Sequence, residues 1–316
     1  MVKRIFVTGA AGFIGFHLCK AAASQGNAVA GLDNFNSYYN ASLKRDRANI
    51  LKDIGIDILE GDISNEHYIK QAILNHRTTH LVHLAAQAGV RYSLEAPQEY
   101  TKANIDGFLT ILEFCRHYPE IPLVYASSSS VYGLNQKVPF SILDQTDQQA
   151  SLYGVTKKAN ELMAQSYHHL FNVRSAGLRF FTVYGPWGRP DMAYYSFTKA
   201  ILEGKPIQLY NRGAMSRDFT YIDDIVDGII AAIDLGPSLA LYNLGNNRPE
   251  KLLDLVSIIE RELGRKAKIQ LEPMQKGDVV ATWADISESE RDLHYAPKIS
   301  LAAGIKKFVE WYRSYH

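Results

Sequence analysis

The sequence predicts an α/β fold: a doubly wound parallel sheet with a smaller α+β part woven into its C-terminal half. Three observations carry this. Short β-branched runs alternate with amphipathic helical stretches up to about Val183, the pattern of right-handed βαβ units. A glycine-rich turn, Gly9 to Gly15, joins the first strand to the first helix. A length of 316 residues leaves room for one large α/β domain and an added lobe.

Residues 3–8 are apolar and β-branched and meet Gly9, which reads as a buried strand. Residues 13–24 have helical spacing, with Gly26 placed as a C-cap. A second strand over 28–32 ends at Asp33. Then follow a helix over 41–51, a strand over 57–60, a helix over 65–75 and a strand over 80–85. An amphipathic helix over 98–117, a strand over 123–126, a helix over 153–170 and a strand over 173–180 continue the alternation. Pro, Gly, Trp and Tyr then crowd residues 184–195. A helix over 196–203, a short strand over 206–209 and helices over 223–235, 252–263 and 301–315 complete the chain. Residues 1–182 are expected to form the first domain, with part of 212–245 returning to it, and 183–316 to supply mainly the second.

Composition narrows the function. Apolar residues make up 47% and charged residues 21%, ordinary globular usage. A net charge of +1, from 34 basic and 33 acidic residues, argues against a nucleic-acid partner. Two cysteines cannot form a disulfide scaffold, and no Cys/His cluster has zinc spacing, so a reducing, cytoplasmic setting without a metal is expected. No run approaches the ~18–20 apolar residues of a membrane span. Lys3-Arg4 before Ile5-Phe6-Val7 imitates a signal peptide, but glycines and His17 interrupt the apolar stretch.

Gly9-Ala10-Ala11-Gly12-Phe13-Ile14-Gly15 is G-x-x-G-x-x-G between a strand and a helix. Glycine there lets backbone N–H groups approach a pyrophosphate at a helix N-terminus. The glycines alone also fit a plain tight turn. Asp33, 18 residues beyond Gly15, adds a carboxylate that accepts from both ribose hydroxyls and repels a 2′-phosphate. Together they predict a dinucleotide site that favours NAD over NADP. Asp62-Ile63 follows the third strand, where an adenine edge would sit; a helix-capping Asp is an equal reading.

Ser127-Ser128-Ser129-Ser130 ends the fifth strand, and Tyr153-Gly154-Val155-Thr156-Lys157 puts a phenol and an ammonium on one helix face. An ammonium beside a phenol favours phenolate, as does a cationic nicotinamide. The phenol's pKa of about 10 is therefore expected to fall toward neutrality and supply a base. The other reading of the serines is a turn whose hydroxyls satisfy backbone groups. His80, His83, His168 and His169 form no ligand set, and Trp283 and Trp311 read as packing residues.

With these residues in this order, the sequence resembles the extended short-chain dehydrogenase/reductase family along nearly the whole chain. Gly9–Gly15, Asp33, Asp62-Ile63, His83-Leu84-Ala85-Ala86-Gln87, Asn104 and the Ser/Tyr/Lys set carry the likeness. The resemblance implies a Rossmann-type sheet and tightly held NAD. It implies cofactor contacts at Gly9, Gly12, Phe13, Ile14, Gly15, Asp33, Asn34, Asp62, Ile63, Leu84, Ala85, Ala86, Asn104, Ser127, Tyr153, Lys157 and Phe180. It also makes Ser128 the catalytic hydroxyl, Tyr153 the acid/base and Lys157 its partner.

A closer resemblance is to the UDP-sugar 4-epimerases of this family, above all those acting on UDP-glucuronate. It rests on the strings Gly89-Val90-Arg91-Tyr92-Ser93-Leu94-Glu95, Phe180 to Ala193, Arg217 to Asp224, and Pro273 to Val279. It implies a UDP-sugar partner bound by Arg91, Ser93, Ser128, Ser129, Thr182, Arg189, Tyr210, Arg217 and Asp278. The helices over 98–117 and 153–170 match a pair that forms a four-helix homodimer interface in relatives. Lys276 departs from a usual proline. Gln275 stands where relatives acting on neutral sugars use Arg, which leaves Arg217 for the diphosphate.

Sister reactions share oxidation at C4 and then diverge. By the resemblance, dehydratases carry an Asp-Glu pair after the catalytic hydroxyl, and decarboxylases a Glu two places on. Ser129 and Ser130 occupy those places and are poor acids, which favours epimerisation. A 4-keto glucuronate carries its carboxylate β to the ketone and can lose CO₂, so an epimerase must hold that carboxylate out of alignment. Arginine forks do this, with Arg189 the first candidate and Arg91 the second. The alternatives are a 4-epimerase of neutral or N-acetylated sugars, a decarboxylase or dehydratase, or a non-catalytic NAD-binding sensor.

Overall fold

A computed structural model describes residues 2–236, 238–275 and 277–316. β1 (Arg4–Thr8) runs into the glycine turn, and α1 (Phe13–Ser24) starts with Gly12 as an extended N-cap. β2 (Ala28–Asp33), α2 (Ser42–Asp53), β3 (Ile58–Glu60), α3 (Glu66–Asn75) and β4 (His80–His83) follow. Asn65 caps α3 by accepting the Tyr68 N–H at 3.1 Å. Next come α4 (Tyr92–Glu95) and α5 (Pro97–Tyr100), which passes through a π-helical stretch, Thr101–Asp106, into α6 (Gly107–His117). After β5 (Leu123–Ser128), the 20-residue α7 (Leu152–Phe171) is capped by Ser151 and ended by Asn172 at φ 57°. β6 (Ser175–Phe180), β7 (Thr182–Tyr184), α8 (Ala193–Leu202), β8 (Pro206–Leu209), β9 (Ser216–Tyr221) and α9 (Ile222–Leu235) continue. β10 (Leu239–Leu244), β11 (Pro249–Lys251), α10 (Leu252–Leu263), β12 (Lys268–Leu271), α11 (Ser287–Leu293) and α12 (Leu301–Tyr315) close the chain.

Seven strands form one parallel sheet in the order β10-β6-β5-β4-β1-β2-β3. Strand alternation sends neighbouring residues to opposite faces. Phe6, Leu81 and Leu123 accordingly pack in one core, and Val7, Val82 and Val124 in the other. The second core runs on without a break to Leu255 and Phe308, so the smaller part shares it with the sheet. That part holds two small sheets, β11-β9-β7 and β12-β8. Strand order reverses about β1, and the crevice beyond the strand ends there is where open α/β sheets bind ligands.

The helix expected over 98–117 forms, and it runs through a π-helical stretch, a feature frequent at functional sites. Strands β7, β9, β10, β11 and β12 were not expected as strands; Arg217-Asp218 interrupt the apolar pattern of β9, and β10 is exposed at Leu239.

Candidate active site

A cleft of about 1030 Å³ opens along the strand ends. Every residue expected to hold cofactor or substrate lines it except Asn104 and Ser93. Asn104 is buried. Its Oδ1 accepts the Gln87 N–H at 2.8 Å, and its Nδ2 donates to Gln87 O and Thr156 Oγ1, each at 3.0 Å. It is therefore a strut that ties the turn after β4 to α7, set there by the π-helical stretch. Ser93 is likewise buried and donates to Val90 O at 2.6 Å, fixing its own loop.

The glycine turn is a cradle that side chains would fill. Gly9 has φ +71°, and a Cβ on it would lie 2.7 Å from the Ala85 backbone nitrogen. A Cβ on Gly15 would lie 2.2 Å from Gly9 O. The bare backbone thus fits a pyrophosphate. Asp33 is buried at the end of β2, with Oδ1 accepting the Phe35 N–H at 2.9 Å. Its Oδ2 has no hydrogen bond among the described residues, which suits a ribose hydroxyl. Lys44 Nζ stands 3.9 Å from Asp33 Oδ1 and is held by Asn36 Oδ1 at 2.7 Å. No spacing rule pointed to Lys44, and it softens the charge expected of Asp33. Asp62 does not cap α3, since Asn65 does. Burial resists its ionisation, but Ser64 and the Lys102 ammonium at 3.7 Å hold its carboxyl below the usual range.

The serines divide their tasks. Ser127 donates to Glu161 Oε1 at 2.6 Å, away from any reacting group. Ser128 accepts the Ser130 N–H at 3.1 Å and is near enough to the Tyr153 phenol to lower its pKa. Lys157 is buried and donates to Ala126 O at 2.9 Å. Burial pushes its pKa down to about 8, with Glu161 acting the other way.

Burial pushes the Tyr153 phenol up, and the groups opposing this are Ser128 and the Arg189 charge. The Lys157 ammonium is held on a carbonyl of β5, Ala126 O. The cation that bears on the phenol stands in the second half of the chain.

Arg189 is anchored by Asp191, with Nε on Oδ1 at 3.0 Å and Nη2 on Oδ2. Tyr38 Oη donates to Asp191 Oδ2 at 3.1 Å. Burial works against the Arg189 charge, yet Asp191 and the nearby phenols hold its pKa above the ordinary value. Asp191, two residues on, could have been found from an R-x-D reading. Tyr100 was also missed; its ring meets Tyr153 edge-on at 6.0 Å, and its hydroxyl holds Ala88 O at 2.9 Å.

Arg91 belongs elsewhere than expected. Its Nη2 meets Asp278 Oδ2 at 3.2 Å and its guanidinium lies 4.5 Å over the Tyr210 ring. Arg217 is close enough to Asp278 and Arg91 to feel both charges, while burial lowers its pKa. Arg91 thus groups with Arg217, not with Arg189. Gln275 is half-buried, with its Oε1 covered and unpartnered, and does not line the cleft, and Lys276 lies outside the described residues.

The NAD dependent epimerase/dehydratase family matches residues 5–245 of the chain. A UDP-glucuronate 4-epimerase of Arabidopsis thaliana, number 4, is 52% identical over 99% of this chain and 76% of its own. Protein CapI of Staphylococcus aureus is 46% identical over 99% of both chains. The crystal structure of UDP-glucuronic acid 4-epimerase from Bacillus cereus, in complex with UDP-glucuronic acid and NAD, superposes with a TM-score of 0.92 at 35% identity, covering 99% of both chains. With a family match over most of its length and relatives this similar, the chain belongs to the NAD dependent epimerase/dehydratase family.

Proposed function

We propose that this protein interconverts UDP-glucuronate and UDP-galacturonate by inversion at C4, with NAD held in the cleft throughout. The observation that carries the reading is the meeting of Tyr153, Ser128 and a guanidinium, Arg189, beside the glycine cradle. NAD, when bound, accepts a hydride from C4 of the sugar and returns it to the opposite face.

The chain's own residues supply the rest. Tyr153 takes the proton of the 4-hydroxyl and later gives it back, with Ser128 bracing the oxygen. Such acid–base transfer supplies roughly 10²–10⁴-fold. Lys157, anchored on Ala126 O, presents a cation to the cofactor ribose. Ser129 and Ser130 bring no acid to eliminate water. Thr182 contacts the sugar. Arg189 fixes the plane of the C6 carboxylate, so that the C5–C6 bond stays out of line with the C4 carbonyl. Arg217 and Arg91 face the diphosphate, with Tyr210 beneath Arg91. The glycine turn, Asp33, Asn34, Asp62, Ile63, Leu84, Ala85, Ala86 and Phe180 line the dinucleotide's course.

A homodimer through α6 and α7 belongs to the same reading. Leu109 and Leu162 are 41% and 53% exposed on these helices, surface that a four-helix bundle would cover. Cys19 and Cys115 are free and buried, which supports a cytoplasmic setting. No described helix is long and apolar enough to cross a membrane.

The test is to incubate the purified protein with UDP-glucuronate, with and without added NAD, and to follow C4 configuration by NMR. UDP-galacturonate is expected. Its absence in both samples overturns the reading.

A further inference from the structure

The loop that carries Arg189 is held from below by three consecutive carbonyls. Pro186 O meets His17 Nε2, from α1, at 2.9 Å. Trp187 O and Gly188 O take Arg47 Nη2, from α2, at 2.5 and 3.4 Å. Arg47 Nη1 donates to Ala11 O, inside the glycine cradle, at 3.0 Å and to Tyr39 Oη at 2.9 Å. One guanidinium thus joins the cofactor turn to the Arg189 loop.

Arg47 is an unusual group to bury. It is 0% exposed, makes no salt bridge among the described residues, and leaves its Nε without a partner. A buried charge without a counter-ion is costly, and an apolar side chain would fill the same space. What an apolar side chain cannot do is hold carbonyls of two loops at once. Trp187 adds a second sign of constraint, since its φ of 60° is left-handed, a conformation that bulky residues keep only when their surroundings impose it. Its ring is fixed between Phe16 at 5.6 Å and Trp311 at 5.2 Å. Burial lowers the His17 pKa to about 4. A neutral imidazole can meet a carbonyl only by donating its N–H.

We infer that Arg47 is a positioning residue: it clamps the Pro186-Trp187-Gly188 backbone to the glycine turn, so that Arg189 keeps the substrate carboxylate in its non-eliminating plane. This rests on the function proposed above. In the competing reaction the C5–C6 bond breaks and CO₂ leaves. The electron pair passes into the enolate of the C4 ketone, and C5 then takes a proton from water. The hydride taken from C4 returns there, so the net change is UDP-glucuronate to a UDP-pentose and CO₂.

The test compares wild type, Arg47→Lys and Arg47→Met by two measurements. The first is the ratio of CO₂ to UDP-galacturonate formed from substrate labelled at C6. The second is hydrogen exchange of the amides of residues 185–191 by mass spectrometry. Arg47→Met is expected to raise both the CO₂ share and loop exchange at least tenfold while exchange in the seven-stranded sheet stays as in wild type, with Arg47→Lys between. A wild-type CO₂ share, or wild-type loop exchange, in Arg47→Met overturns the inference. If Arg47→Met does not fold, Arg47→Lys, which keeps the charge but lacks the planar fork that spans both loops, is held to the same two outcomes. A wild type that makes no UDP-galacturonate sinks the proposed function instead, and loop exchange then decides alone whether Arg47 is a clamp.

Discussion

Glu161 stands one helical turn beyond Lys157 on α7 and takes both faces of Arg179, Nε on Oε1 and Nη2 on Oε2, each at 2.8 Å. Both side chains are buried. Removing one partner of such a pair strands the other charge. Arg179→Met is therefore expected to cost about 3–5 kcal/mol in urea unfolding at neutral pH. A loss under about 1 kcal/mol would mean that Lys158, 3.9 Å from Glu161 Oε2, carries the pairing instead.

Glu161 also raises the Lys157 pKa against burial. In Glu161→Gln that support is lost, and the Lys157 pKa moves below about 8. The ammonium then deprotonates at lower pH, so the alkaline limb of kcat/KM for epimerisation shifts toward acid. Arg179→Met, which leaves Glu161 charged, should not produce that shift. An alkaline limb that stays put in Glu161→Gln assigns it to another group.

Tyr153→Phe removes the proton acceptor but keeps the ring against Tyr100. Turnover is expected to fall roughly 10²–10⁴-fold, with UDP-sugar affinity by calorimetry little changed. Full turnover in this variant would end the role given to the phenol.

Arg189→Ala carries two consequences. The carboxylate plane is released, so CO₂ and a UDP-pentose should appear beside UDP-galacturonate. The guanidinium also lowers the Tyr153 pKa, so its loss lets burial raise the phenol further and moves the phenol's ionisation to higher pH. Unchanged epimerisation with no added CO₂ removes Arg189 from the site.

Much of this was legible in the sequence because it is local. The strand–turn–helix of Gly9 to Gly15 depends on near neighbours, and it forms as the residue pattern predicts. The pairings that set the electrostatics join distant segments. Tyr38 meets Asp191 across 153 positions, and Arg91 meets Asp278 across 187. Nothing in either segment alone announces the other, so the pairing of Arg91 with Asp278 was not expected. Lys157 stands at i+4 from Tyr153 as the helix spacing predicts, and its ammonium also donates to a strand carbonyl, Ala126 O, that helix periodicity cannot reveal. Asn104 kept its family position while the π-helical stretch turned its amide onto Gln87.

A last prediction concerns acid stability. His83 is buried on β4, and its Nδ1 lies 2.8 Å from Thr8 Oγ1. Burial, with the Lys157 charge adding to it, lowers its pKa from 6.5 to about 3. The unfolded chain binds a proton at this histidine below pH 6.5, and the folded chain does not until about pH 3. Stability is thus full above pH 6.5 and declines as pH falls through that window, by about 1.4 kcal/mol per pH unit. Asp218 works in the opposite sense, since burial raises its pKa to about 6 and the folded state takes up its proton first. His83→Asn keeps a polar atom for Thr8 and removes the titration, while Asp218 is common to both proteins. Urea unfolding at pH 7 and pH 5 should therefore show wild type losing about 2 kcal/mol more than the variant over that interval. Equal losses would show that His83 protonates in the folded protein as readily as in the unfolded chain.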